Sequence, residues 1–294
     1  MSKTAATLAA LVAATLWGTT GTTAYLIGGA LSPLVIGAAT MGFGGLILFV
    51  IGGQASFRLL SSREHAVWVW LGAAGVIVYP LAFYQGMFLA GVAVGNVIAL
   101  GTGPIIVAVI EWLVEKRKPT GRWSVATVFA VMGIAFLTLG DSSKTSAEPG
   151  GFIPGILLAL VAGVSYALFS YAMGQIMSTG VSPRATVGAV FGGGALPLLI
   201  ILLALGIPPD VGLVPLGLLG YLILGPMVIS YVFFSRALRT LTSSSVLTIA
   251  LIEPAVATGL ALLVVGERFD LVSGVGLALV VVAVFVAARG ATVR

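Results

Sequence analysis

Polar positions along this chain do not recur with the 3.6-residue period of a half-exposed helix. Apolar residues instead run in long blocks separated by short polar gaps. Crossing a bilayer takes about 20 mainly apolar residues in a helix, and a helix satisfies its own backbone hydrogen bonds where no water is available. The blocks of that kind are Thr4–Leu26, Pro33–Ile51, Ala66–Phe88, Val94–Val114, Trp123–Leu139, Phe152–Ile176, Ala185–Leu205, Val214–Ala237, Val246–Val265 and Leu271–Ala288. The pattern predicts an all-α integral membrane protein with ten transmembrane helices. The longest polar gap, Gly140 to Gly151 (GDSSKTSAEPGG), falls near the middle. It divides the chain into a five-helix half over 1–140, a linker over 141–151 and a second five-helix half over 152–294.

Composition agrees with this picture. Only 8% of the residues are charged, 59% are hydrophobic and the mean hydropathy is +1.18. A soluble surface needs about 25% charge, so lipid must solvate much of this one, and the bilayer is an expected partner. The net charge of +5 does not indicate nucleic acid, because the basic residues sit in the gaps between apolar runs and form no patch interleaved with aromatics. The chain has no cysteine and a single histidine, His65. That excludes thiolate metal sites, histidine metal clusters and a Ser-His-Asp triad, and no metal or cofactor is expected. The first apolar block is too long for a signal-peptide core and is read as a retained helix.

Lys and Arg accumulate in cytoplasmic loops. With the N-terminus inside, the inner segments carry Lys3, Arg58, Arg63, Lys116, Arg117, Lys118, Arg122, Arg184, Arg236, Arg239, Arg289 and Arg294. The outer loops carry only Lys144 and Arg268, so 12 of the 14 basic residues fall on one side. Both termini are thus expected in the cytoplasm, in a cell (inner) membrane. Trp68, Trp70, Trp112 and Trp123 lie near cytoplasmic helix ends, where an interfacial belt belongs. Trp17 lies inside the first helix.

The two halves register at a shift of 150 residues. Ser32-Pro33 meets Ser182-Pro183, Pro104 meets Pro254, and Phe83-Tyr84 meets Phe233-Phe234; at 149, Trp17 meets Tyr166. Corresponding loops differ in charge. The basic gap Lys116-Arg117-Lys118 has as its counterpart Gly266-Glu267-Arg268-Phe269-Asp270, which has lost the excess. Gaps without charge after helices 1 and 3 correspond to gaps holding Arg184, or Arg236 and Arg239. Five helices per half is an odd number, so the second copy enters upside down. Such inverted repeats recur in secondary transporters, with the substrate near the midplane.

Leu16-Trp17-Gly18 resembles the start of an EamA-type protein of the drug/metabolite transporter superfamily. Leu251-Ile252-Glu253-Pro254, continuing to Leu263-Val264-Val265-Gly266-Glu267-Arg268, is similar to that family's helix-9 segment. The first half departs from the pattern, with Gly103 where Glu253 would correspond and Arg117 where Glu267 would. The resemblance covers essentially the whole chain and implies ten helices in a five-plus-five arrangement. It does not specify a substrate. Within the superfamily the chain looks most like amino-acid exporters of the YddG type, on account of an interior that is aromatic and nearly uncharged.

Glu253 is the one ionisable side chain near the middle of a predicted helix. A charge there costs roughly 2.5–3.5 kcal/mol on insertion scales, so it serves either as a counter-charge or proton acceptor for transport, or as a hydrogen-bonded tie between helices. Glu111, near Glu115, Lys116 and Arg117, is read as part of a solvated interfacial pair. Trp17, Tyr79, Tyr84, Tyr166 and Ser170 offer an amphipathic wall to a substrate, against the alternative of ordinary helix packing. Asn96 is a substrate ligand or a helix cap. Gly101, Gly103 and Pro104 on helix 4, with Pro254 on helix 9, mark paired weak points that act as hinges or simply permit close packing. No phosphate-binding glycine motif is present.

The expected function is a secondary transporter, not an enzyme, that exports a small neutral or zwitterionic metabolite by alternating access. Phosphorylated solutes need cations at the site, and no Lys or Arg lies mid-helix, so apolar and aromatic amino acids fit best. A multidrug or other metabolite transporter of the same superfamily and a passive channel are the alternatives. The oligomeric state is open.

Overall fold

A computed structural model of the chain describes residues 1–90, 92–140, 151–260, 263–264 and 271–293, excepting the side chains of 92–94, 96–97, 137–140, 258 and 273. The central linker over 141–150, the segment 265–270 and Arg294 lie outside the described residues. Those described are almost entirely helical. In chain order the elements are α1 (Lys3–Gly18), α2 (Thr20–Ile27), α3 (Pro33–Leu60), α4 (Ala66–Ala90), α5 (Val92–Glu115), α6 (Gly121–Gly140), α7 (Phe152–Ser178) and α8 (Pro183–Leu205). Then come α9 (Leu213–Leu222), a π-helical segment (Ile223–Ile229), α10 (Ser230–Thr240), α11 (Ser243–Ala250), α12 (Glu253–Leu260) and α13 (Leu271–Gly290). Among the described residues six helical stretches are long and apolar enough to cross a membrane: Pro33–Leu60, Ala66–Ala90, Ile98–Glu115, Phe152–Ser178, Pro183–Leu205 and Leu213–Thr240.

Three of the expected helices are interrupted. The first breaks at Thr19, the eighth passes through the π segment, and the ninth breaks at Leu251–Ile252. The second runs on past Ile51 to Leu60, turning at Gly53, whose φ of 58° favours a residue without Cβ.

The chain passes back and forth between two ends. At one, here the terminal end, the Lys3 ammonium donates to the Arg289 carbonyl (2.9 Å), and the Thr242 N–H donates to the Thr292 carbonyl (3.0 Å). The start of α11 meets Glu111 near the end of α5, Glu115 meets Gln175 of α7, and Thr179 meets His65 before α4. Every described Lys and Arg belongs to a segment at this end. These number eleven, the 14 of the chain less Lys144, Arg268 and Arg294, which lie outside the described residues.

Three of the pairs five places apart in the expected order pack antiparallel, whereas the first expected helix packs on the eighth and the third on the sixth. Gly42 of α3 faces Leu199 of α8, Gly45 faces Phe191, and Gly52 faces Arg184. Along α6 and α13, Gly133 faces Gly276 and Val280, while Gly290 faces Arg122. Along α5 and α11, Gly103 faces Leu247, and Glu111 faces Ser244. Small residues set these seams because dispersion contacts, not a hydrophobic force, hold helices together in lipid. The same Ser-Pro start recurs at opposite ends of the molecule. Ser32 accepts the Val35 N–H (3.3 Å) to begin α3 at the distal end, and Ser182 accepts the Ala185 N–H (3.3 Å) to begin α8 at the terminal end. In both cases Pro occupies the first helical position, where its missing N–H costs nothing.

Candidate functional site

The interrupted helices converge. Gly18 ends α1 against α12: a Cβ there would stand 2.9 Å from the Glu253 carbonyl oxygen and 2.6 Å from Cβ of Val256, so only glycine allows this approach. Thr19 stabilises the break that follows. Its hydroxyl donates to the Leu16 carbonyl (2.7 Å), and the Tyr221 hydroxyl, 2.8 Å away, therefore donates to it. In the π segment the Ser230 N–H reaches back five residues to the Gly225 carbonyl, around Pro226. Pro80 sits inside α4. Irregular backbone at membrane depth is tolerated where it lines protein or a wet cavity.

Such a cavity lies where these breaks meet. It encloses about 630 Å³ of empty space, its open mouth included. Trp17, Tyr79, Tyr84, Tyr166, Tyr231 and Glu253 supply its chemistry, and Thr20, Thr40 and apolar side chains including Met41, Leu222 and Met227 complete it. Among the described residues no basic side chain lines it. The lining comes from the middle and the distal half of the helices. Toward the terminal end the aromatic stack continues into Phe169, Phe191 and Phe234, all fully buried. Trp17 stands 5.1 Å from Tyr231, 5.2 Å from Phe234 and 6.3 Å, edge-on, from Tyr166 between ring centroids. Tyr79 lies 5.7 Å from Tyr166, and Phe191 lies 4.3 Å from Tyr231. These separations suit offset and edge-to-face pairs. The Tyr166 hydroxyl is buried and has no hydrogen-bond partner among the described residues. Leaving such a group unmatched costs about 1–3 kcal/mol, so it is a donor available to a ligand.

Of the residues singled out in the sequence, Trp17, Tyr79, Tyr84, Tyr166 and Glu253 come together here. Ser170 does not line this cavity: one turn beyond Tyr166, it is fully buried, its carbonyl accepting the Ser243 hydroxyl (3.4 Å). The Asn96 side chain lies outside the described residues. Gly101, Gly103 and Pro104 stay within an uninterrupted α5. Gly103 serves packing in this conformation, since a Cβ there would stand 3.1 Å from the Tyr166 ring. Pro254 follows an actual break. Tyr231 was not singled out in the sequence, although a mid-helix tyrosine five residues after Pro226 is the kind of signal that Trp17 gave. Glu111 is not a solvated interfacial residue. It is 4% exposed and accepts the N–H and the hydroxyl of Ser244 at 3.1 and 2.5 Å. The salt bridge near it joins Arg117 to Glu115 instead (3.5 Å).

A polar-edged aromatic cavity among broken apolar helices is the kind of site a membrane transporter needs, and the comparisons give the family. The sequence model of the EamA-like transporter family matches residues 4–139 and again 153–289, and the chain belongs to that family. It is 34% identical over 283 residues to the uncharacterized transporter YwfM of Bacillus subtilis (strain 168), covering 94% of this chain and 91% of that protein. A solved crystal structure of a protein 21% identical shares the fold with a TM-score of 0.79, over 97% of each chain. Family and relative indicate a transporter and not an enzyme.

Proposed function

We propose that the protein exports small zwitterionic metabolites, aromatic and large apolar amino acids foremost, across the cell (inner) membrane by alternating access. The observation that carries this reading is that, among the described residues, Glu253 is the single carboxylate of the wall, set among Trp17, Tyr79, Tyr84, Tyr166 and Tyr231 with no basic side chain beside it. An ammonium group gains from Glu253 and from aromatic faces. A substrate carboxylate finds tyrosine hydroxyls, Tyr166 first. An apolar side chain takes the remaining ring surface. A phosphorylated solute would meet no cation. The buried phenylalanines beyond the cavity argue against a continuous pore. A lone carboxylate in an aromatic box also suits a lipophilic organic cation, the second reading. Expression should protect cells against toxic aromatic amino-acid analogues and raise extracellular amino acid. Protection against lipophilic cations alone would favour the second reading.

The proposal includes ten membrane crossings in two inverted five-helix halves, with both termini cytoplasmic. It is supported by the antiparallel packing of α3 on α8 and of α6 on α13, and by the basic residues at the terminal end. The cavity then opens away from the cytoplasm. Reporter fusions at Ser61, Thr120 and the C-terminus should report the cytoplasm, and one at Ser143 the outside. A cytoplasmic Ser143 is incompatible with five crossings before the linker.

A further inference from the structure

We propose that Glu111 is the latch of the terminal end, and that its separation from Ser244 is the step that opens the central cavity toward that end. The inference rests on the transport reading above and adds a positioning residue to it.

All eight residues of α11 are buried, yet Ser243, Ser244, Ser245 and Thr248 make half of it hydroxylated. Buried hydroxyls are costly unless bonded, and serine and threonine are indifferent helix formers. Here each one ties α11 to a different neighbour. Ser243 donates to the Ser170 carbonyl of α7, and Thr248 meets Thr127 of α6 at 3.3 Å. Ser245 accepts the Thr292 N–H (3.1 Å), and the Trp123 indole N–H donates to the Ser244 carbonyl (3.4 Å). Among these ties of the described residues, that of Glu111 is the one in which a carboxylate takes part. From α5 it accepts both donors of Ser244, supplying across helices what an N-cap supplies within one. Charge-assisted bonds of this kind are about twice as strong as neutral ones.

Position gives the latch its consequence. α11 stands between the solvent at the terminal end and α12, which presents Glu253 to the cavity, and the chain between them is already non-helical at Leu251–Ile252. A hydroxyl and a carboxylate rehydrate when they part, whereas a seam packed on glycine, such as α3 on α8, must expose apolar surface. The part built to separate is therefore the terminal, polar end of the α5–α11 seam, beyond the contact of Gly103 with Leu247. A small second cavity beside the latch, lined by Glu111, Ser244, Thr120, Arg117 and Lys118, offers the exposed side where water enters.

The chain contains no cysteine, so single thiols report accessibility cleanly. Ser170→Cys places a thiol at a fully buried position behind α11, and Ala189→Cys places one in the equally buried core of α8. In protein reconstituted in nanodiscs, a membrane-impermeant maleimide should label Ser170→Cys slowly. Adding Glu111→Ala should speed this about tenfold, equivalent to a shift of about 1.4 kcal/mol. Glu111→Gln, which still accepts the Ser244 N–H, should restore most of the protection, and Ala189→Cys should stay protected throughout. An unchanged Ser170→Cys rate, or equal exposure of Ala189→Cys, overturns the latch. Should Glu111→Ala not fold, Ser244→Ala removes only the hydroxyl bond and should speed labelling about threefold; an unchanged rate there overturns the proposal equally. The labelling needs no substrate. Wild-type protein that moves no amino acid would therefore refute the transport reading and leave this result standing.

Discussion

Glu253→Gln is expected to abolish amino-acid counterflow in proteoliposomes while the protein still inserts and elutes as a single species. Among the described residues Glu253 is the one carboxylate in the cavity wall, and no basic side chain shares that wall. An ammonium group entering there leaves water and must recover its solvation from this carboxylate and the ring faces around it. Hydrogen bonds to charged groups contribute about 1.5–3 kcal/mol, so removing the charge should weaken binding roughly ten- to hundredfold. Glutamine keeps the size and one acceptor, which separates charge from packing. Normal counterflow with a lowered melting temperature would mean instead that Glu253 ties helices together beside Pro254.

Trp17→Ala is expected to produce the second large effect, a rise of about tenfold or more in the half-saturating concentration of aromatic substrates. The ring is 9% exposed and touches Tyr166, Tyr231 and Phe234. It stands beside the Gly18 contact that brings α12 and Glu253 to the site. Truncating it removes one wall and frees Tyr231 to move. Trp17→Phe retains a ring face and should recover most of the affinity, with small substrates affected less than aromatic ones. Unchanged affinity in Trp17→Ala, measured by competition counterflow, would place the substrate elsewhere.

Helices in lipid are legible because length and apolarity alone announce them, and Trp17, Tyr79, Tyr166 and Glu253 stood out as chemistry without a reason to be mid-helix. The interruptions were not legible in the same way. Apolar runs keep no period that a break disturbs. Gly18-Thr19-Thr20-Gly21 reads as tolerable helix until α12 presses on Gly18, and the π turn at Pro226 depends on neighbours far along the chain. Tyr231 has no aromatic counterpart in the repeat register, which pairs it with Leu81. Proximity in sequence points Glu111 to Lys116 and Arg117, whereas its partner Ser244 lies 133 residues away. Nothing in the sequence names the carboxylate that the buried N–H and hydroxyl of Ser244 meet.

The central claim is that a neutral, zwitterionic amino acid occupies the Glu253 cavity and is carried across. Counterflow with purified protein in liposomes loaded with unlabelled amino acid tests it most directly. Labelled tryptophan, phenylalanine or leucine should accumulate transiently, unlabelled aromatic amino acids should compete, and a labelled sugar phosphate should not enter. Accumulation of the sugar phosphate with no amino acid moving would contradict the account.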